Sequence, residues 1–121
     1  LSKVFDEVRR VLKKQGLFVF STIHPVFGIR KKIIYKGKKE YILQPYFHNN
    51  QIKYSMLKGK MELEGYQHTF SDIHVIVPKA AFNINEVIET TPVKEGRDID
   101  PGDYAQTQKV PSFILFSSSK S

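Results

Sequence analysis

The sequence predicts a small mixed α/β unit, and three observations carry that expectation. Leu1, Val4, Phe5, Val8, Val11 and Leu12 recur at helical spacing while Lys3, Asp6, Glu7, Arg9, Arg10 and Lys13 fill the other side, so the chain opens with an amphipathic helix that needs a partner surface. Leu17-Phe18-Val19-Phe20 follows, apolar on both faces, as a strand reads when it is covered on both sides in a parallel sheet. Further on, short β-type runs separated by turn residues surround one more helical pattern.

Taken in order, the first helix is expected to end with Lys13 and Lys14 near its negative pole and with Gly16 in the left-handed conformation that closes a helix. A strand over 17–21 then runs into His24-Pro25, and 26–28 form a short connection. Arg30, Lys31, Lys32, Lys36, Lys38 and Lys39 crowd around Ile33-Ile34-Tyr35. With a Lys36-Gly37-Lys38 turn and Tyr41-Ile42-Leu43 beyond it, this reads as a β-hairpin with a basic tip. Pro45 to Asn50 is turn-rich and aromatic, and a second extended pair is expected at 52–57 and 61–66, joined through Lys58-Gly59-Lys60.

A second helix is predicted to begin within 66–72, with Thr69 as N-cap and Asp72 at the capping-box spacing, and Phe70, Ile73, Val77 and Ala81 keep a helical stripe. Pro78 conflicts with it, so a kink or two short pieces are expected, and the β-branched run 73–77 leaves a strand open as an alternative. Residues 82–90 read as a strand ended by Pro92. A charged linker follows, in which Asp100-Pro101 suits the start of a short helix through Gln108. Ser112 to Ser117 is the last strand, before a polar serine-rich tail.

Composition narrows the function classes. The 121 residues suffice for one domain with a modest core. The absence of cysteine excludes disulfides, thiolate metal sites and cysteine nucleophiles. No membrane-length apolar run and no signal-peptide pattern is present, and a cytoplasmic protein is the simplest expectation. The net charge of +7 permits attraction to an anionic partner without requiring one. Because the chain opens on Leu1, already within a helix, and its first strand expects parallel neighbours, it reads as a fragment.

The opening segment resembles the late part of the catalytic domain of class I S-adenosylmethionine-dependent methyltransferases, above all the broad bacterial small-molecule, type 11-like group. The pattern there is roughly E-V-x-R-V-L-K-P-G-G-x-F-V-F-S-x-x-H-P. It is matched at Glu7, Val8, Arg10, Val11, Leu12, Lys13, Gly16, Phe18, Val19, Phe20, Ser21, His24 and Pro25, and departs at Lys14 and Gln15. Softer likeness continues through residues 66–92 and 110–117, where Ala81 replaces a usual glycine before Phe82, so the helix exit is expected to differ.

The resemblance implies the C-terminal part of a Rossmann-like methyltransferase fold: helix, buried strand, inserted β meander at 26–66, helix, and an antiparallel terminal strand pair. The inserted region would cover the substrate. It implies S-adenosylmethionine as cofactor for the complete enzyme and in-line transfer of its methyl group to an oxygen, nitrogen or carbon of a small molecule. The cofactor-binding half would precede Leu1, and none of the seven glycines here forms a phosphate-binding cluster, so this chain alone is expected to be inactive.

Among single residues, His24 follows a strand's carboxyl end, where open α/β sheets gather ligands. It is a candidate to contact substrate and to act as catalytic base, against the alternative of a ring that merely orders the loop before Pro25. Tyr46, Phe47 and His68 are candidate substrate contacts, against minor core for the first two and surface exposure for His68. His48 and His74 lack partners at metal-ligand spacing, and no metal is expected.

Two partner expectations remain. The apolar edge of the first strand should pair with the missing N-terminal half of the fold or, alone, drive self-association. A rival reading makes the chain a non-catalytic module whose basic hairpin, 30–39, binds RNA or another anion, with affinity that falls steeply with salt.

Overall fold

The computed structural model describes residues 1–47, 51–56 and 60–121. Helix α1 spans Ser2–Val11. The turn after it is not closed by Gly16: Gln15 takes the positive φ of 62°. Gly16 has a steric role instead, because a Cβ there would come within 2.6 Å of the Leu12 side chain. Strand β1, Leu17–Ile23, then enters the sheet.

That sheet has three strands in the order β1-β7-β6, where β6 is Phe82–Glu89 and β7 is Phe113–Lys120. The last strand lies between the other two and runs antiparallel to both. The expected terminal antiparallel pair is thus present, but β1 has no parallel neighbour among the described residues. Nor is β1 covered on both faces: Leu17 and Val19 are 65% and 58% exposed, while Phe18 and Phe20 turn inward. The serine-rich end is strand rather than tail. Ser118 is fully buried and donates to the Phe18 carbonyl at 2.8 Å, a small polar residue filling a site where its hydroxyl finds an acceptor.

The core lies on one face of this sheet. Phe5 of α1 meets Phe18, Phe20 and Phe82 edge-on at 5.6, 5.1 and 6.2 Å between ring centres. Ile73 and Val77 come from helix α3, Phe70–Lys79. The capping box at its start is present, with Thr69 Oγ1 accepting from Asp72 N–H at 3.1 Å and Asp72 returning the contact at 3.3 Å. The helix is shorter than its sequence pattern. It ends one residue past Pro78, in place of a kinked continuation through Ala81: Ala80 N–H still bonds the Ile76 carbonyl at 3.1 Å, but Ala81 N–H bonds the Pro78 carbonyl at 2.9 Å in a tighter turn. Ala81 leaves through the left-handed region, φ 58°, so the exit keeps a conformation that suits glycine despite the substitution. At the far end of the sheet, Lys120 Nζ donates to the Arg9 and Leu12 carbonyls at 2.6 and 2.7 Å and satisfies the end of α1.

Between β1 and α3 stand a short helix α2, Pro25–Gly28, and two hairpins. The first pairs β2, Arg30–Tyr35, with β3, Lys38–Leu43. Its two-residue turn has positive φ at both Lys36 and Gly37, the geometry that matches strand twist. The second pairs β4, Gln51–Met56, with β5, Met61–Tyr66. His48 and the Lys58-Gly59 part of the expected second turn lie outside the described residues. After β6 come two short helices, α4 (Gly96–Ile99) and α5 (Pro101–Thr107). The second is capped by Asp100, which accepts from Asp103 N–H at 3.1 Å.

Candidate functional site

Three strand ends meet at one corner of the sheet. His24 follows β1, Glu89 closes β6 and Phe113 opens β7. The cross-strand register puts Thr22, Ile114 and Glu89 on one rung. Side chains alternate between faces, so His24, two residues past Thr22, projects on the same side as Glu89. The backbone ties the corner together, with His24 N–H donating to the Ser112 carbonyl at 2.9 Å and Thr90 N–H to the Phe113 carbonyl at 3.1 Å.

Both nitrogens of His24 are engaged. Val26 N–H donates to Nδ1 at 3.1 Å, which makes His24 the N-cap of α2. That bond needs a lone pair on Nδ1, so the neutral ring carries its proton on Nε2, which donates to Glu89 Oε2 at 2.5 Å. His24 is 7% exposed, whereas the Glu89 side chain is 60% exposed. Of the two, the carboxylate is the group turned toward solvent. A ring with one nitrogen capping a helix and the other donating has no free lone pair for a proton from outside.

The other sequence candidates stand around α2 and the start of α3. Gln67 is buried and donates to the Pro25 carbonyl at 3.0 Å and to the His68 carbonyl at 3.3 Å, linking the His24-Pro25 corner to His68. A Cβ on Gly28 would lie 2.2 Å from Gln67 Oε1, so any larger residue there would displace the Gln67 amide. His68 is half-buried. Burial pushes its pKa below the usual histidine value, and Asp72 opposes that shift. Tyr46 Oη accepts from Phe70 N–H at 2.8 Å, one of the orphan donors at the start of α3, and its ring meets Phe47 edge-on at 5.0 Å. Phe47 is 84% exposed. Glu89 and Gln67 were not singled out by sequence. The signal for Glu89 was its place at the carboxyl end of a second strand, which is the criterion that selected His24.

A shallow depression lined by Lys14, Gln15, Leu17, Asn83, Asn85 and Ser119 lies at the opposite end of β1 from His24 and holds no comparable pair of titratable groups. Among the described residues no three His, Asp or Glu side chains converge as a metal site.

Superposition on solved structures identifies the fold. An S-adenosylmethionine-dependent methyltransferase assignment from Listeria monocytogenes matches with a TM-score of 0.81 and 26% identity over 100% of this chain and 55% of that one. An S-adenosylmethionine-dependent methyltransferase from Mesorhizobium loti matches with a TM-score of 0.73 and 22% identity over 98% and 55%. This is the C-terminal half of a class I methyltransferase fold. The chain spans about half the length of the structures that it matches. No protein-family model and no curated protein matches the sequence.

The methyltransferase fold implies S-adenosylmethionine, and the described residues do not fit that group. The described glycines occupy other duties: Gly16 and Gly28 permit close approaches, Gly37 turns a hairpin, Gly65 lies within β5, and Gly96 and Gly102 lie in the short helices after β6. No described glycine lies in an open strand-to-helix turn that could cradle a nucleotide.

Proposed function

We propose that this chain forms one wall and the cover of the substrate cleft of an S-adenosylmethionine-dependent methyltransferase whose cofactor is held by residues outside it. The observation that carries this reading is the match along the entire chain to a methyltransferase of which it spans just over half. Residues 26–66 then act as the cover. Their two hairpins form ladders separate from the main sheet and emerge between the His24 corner and α3.

In this reading the cleft lies at the corner of the strand ends and Glu89 contacts the methyl acceptor. Its carboxylate accepts a hydrogen bond from the acceptor's O–H or N–H and takes that proton. His24 is the positioning residue, since its Nε2–H holds one oxygen of Glu89 and leaves the other free. Tyr46, Phe47 and His68 line the approach. Product of the whole gene, incubated with methyl-labelled S-adenosylmethionine and a small-metabolite extract, tests these roles. Glu89→Gln should lower transfer about a hundredfold, the ordinary worth of a positioned base, with S-adenosylhomocysteine binding intact. Full activity in Glu89→Gln together with loss in His24→Ala would return the catalytic role to the imidazole.

A further inference from the structure

The first hairpin holds a guanidinium with no hydrogen-bonded or ion-paired partner among the described residues. Arg30 opens β2, and its Cζ sits 4.0 Å from the centre of the Phe27 ring and 4.5 Å from that of Tyr41. Two aromatic faces thus fix the plane of a half-buried cation. Its Nε is buried without a hydrogen-bond partner, and the terminal Nη groups reach solvent with no partner among the described residues. Arginine at a stacked position usually directs its fork of donors at a carboxylate or phosphate. No described residue supplies such an acceptor here.

The neighbours share the same sign. Direct cross-strand pairs are Arg30 with Leu43, Lys32 with Tyr41 and Ile34 with Lys39. Opposed residues share a face, so Arg30, Lys32 and Lys39 stand together around Tyr41, while Glu40, the one acid of this hairpin, opposes Ile33 on the other side. No described carboxylate forms an ion pair with any of the three cations. Phe27 belongs to the helix that His24 caps, so the stack is built directly onto the His24–Glu89 corner.

We propose that Arg30, clamped by Phe27 and Tyr41 and flanked by Lys32 and Lys39, is a binding site for the carboxylate or phosphate of a small anionic molecule. The Nη edge takes two oxygens of the anion, and the lysines add charge without fixing geometry. That the anion is the methyl acceptor rests on the function proposed above; the anion site itself does not.

The test is an NMR titration of the full chain that follows the Arg30 side-chain N–H signals and uses inorganic phosphate and benzoate as separate probes at constant ionic strength. Saturable shifts at Arg30 are expected, and the tighter probe identifies the source as phosphorylated or carboxylated. Arg30→Lys, which keeps the charge but loses the planar fork, should weaken binding about tenfold, the equivalent of about 1.4 kcal/mol. Lys36→Glu at the hairpin tip should change it less than about twofold, since Lys36 lies off that face. Tyr41→Leu, which removes one platform and no charge, should also weaken it. The proposal is overturned if neither probe saturates. It is equally overturned if Arg30→Lys binds as well as the parent, or if only an oligoribonucleotide binds and Lys36→Glu and Arg30→Lys weaken it alike, which describes a diffuse basic surface. Methyl transfer is not measured, so failure here leaves the methyltransferase reading in place, and anion binding without S-adenosylhomocysteine binding does the reverse.

Discussion

The His24–Glu89 pair makes a quantitative prediction through a double-mutant cycle with His24→Ala and Glu89→Gln. The contact joins an Nε2–H to a carboxylate oxygen at 2.5 Å, and hydrogen bonds to charged groups contribute about 1.5–3 kcal/mol. Because the Glu89 side chain is 60% exposed, solvent screening reduces that range to about 1 kcal/mol of coupling. His24→Ala carries a second loss, since Val26 N–H no longer has Nδ1 as its cap acceptor, worth about 1 kcal/mol. The single substitutions should therefore cost about 2 kcal/mol for His24→Ala and about 1 for Glu89→Gln, with the double variant close to His24→Ala alone. Urea unfolding of the four proteins provides the numbers. The cap loss is common to both His24→Ala proteins and cancels in the cycle. Strictly additive effects, with coupling below about 0.3 kcal/mol, would refute the claim that the imidazole holds the carboxylate.

Other outcomes follow from single features. Gln15→Gly and Ala81→Gly should each stabilise the fold by about 1 kcal/mol in chemical denaturation, because both positions hold positive φ at a residue with a Cβ. Phe5→Ala, which removes the ring at the centre of the aromatic cluster, should cost about 3–5 kcal/mol and abolish a cooperative unfolding transition if that exceeds the total stability. The lowered pKa of His68 means that the unfolded chain binds a proton more readily, so stability should be complete above about pH 6.5 and fall as pH drops from there toward the folded pKa. His68→Gln should remove that part of the pH dependence, as followed by the urea midpoint. Light scattering of the isolated chain should show self-association through the exposed Leu17 and Val19 and the free edge of β1; a monodisperse monomer at high concentration would exclude it.

Sequence periodicity made the local elements legible. The spacing of Phe5, Val8 and Leu12 located α1, and Thr69 with Asp72 marked the start of α3. Lys36-Gly37 marked a tight turn, because each of these signals is set within a few residues. Pairings between distant segments left no such trace. Nothing in Ser117, Ser118 and Ser119 announces that they separate β1 from β6 in the sheet, since hydroxyls read as tail unless their acceptor, here the Phe18 carbonyl, is known. The two-sided apolarity of Leu17-Phe18-Val19-Phe20 led to the expectation of burial on both faces, but among the described residues only the phenylalanine side is packed over. The candidate site divides in the same way. His24 was recognisable from its place after a strand, whereas its partner Glu89 is 65 positions away and became visible only through the register of β6 on β7. The Arg30 stack joins a short helix to the far strand of a hairpin, and among six basic residues sequence alone did not distinguish the one held between two rings.

The proposed function puts the S-adenosylmethionine site outside residues 1–121. Calorimetric titration of S-adenosylhomocysteine into the product of the whole gene, and separately into residues 1–121, addresses it most directly. The account predicts saturable one-to-one binding by the gene product and none by residues 1–121 alone. A gene product that binds no S-adenosylhomocysteine would contradict it.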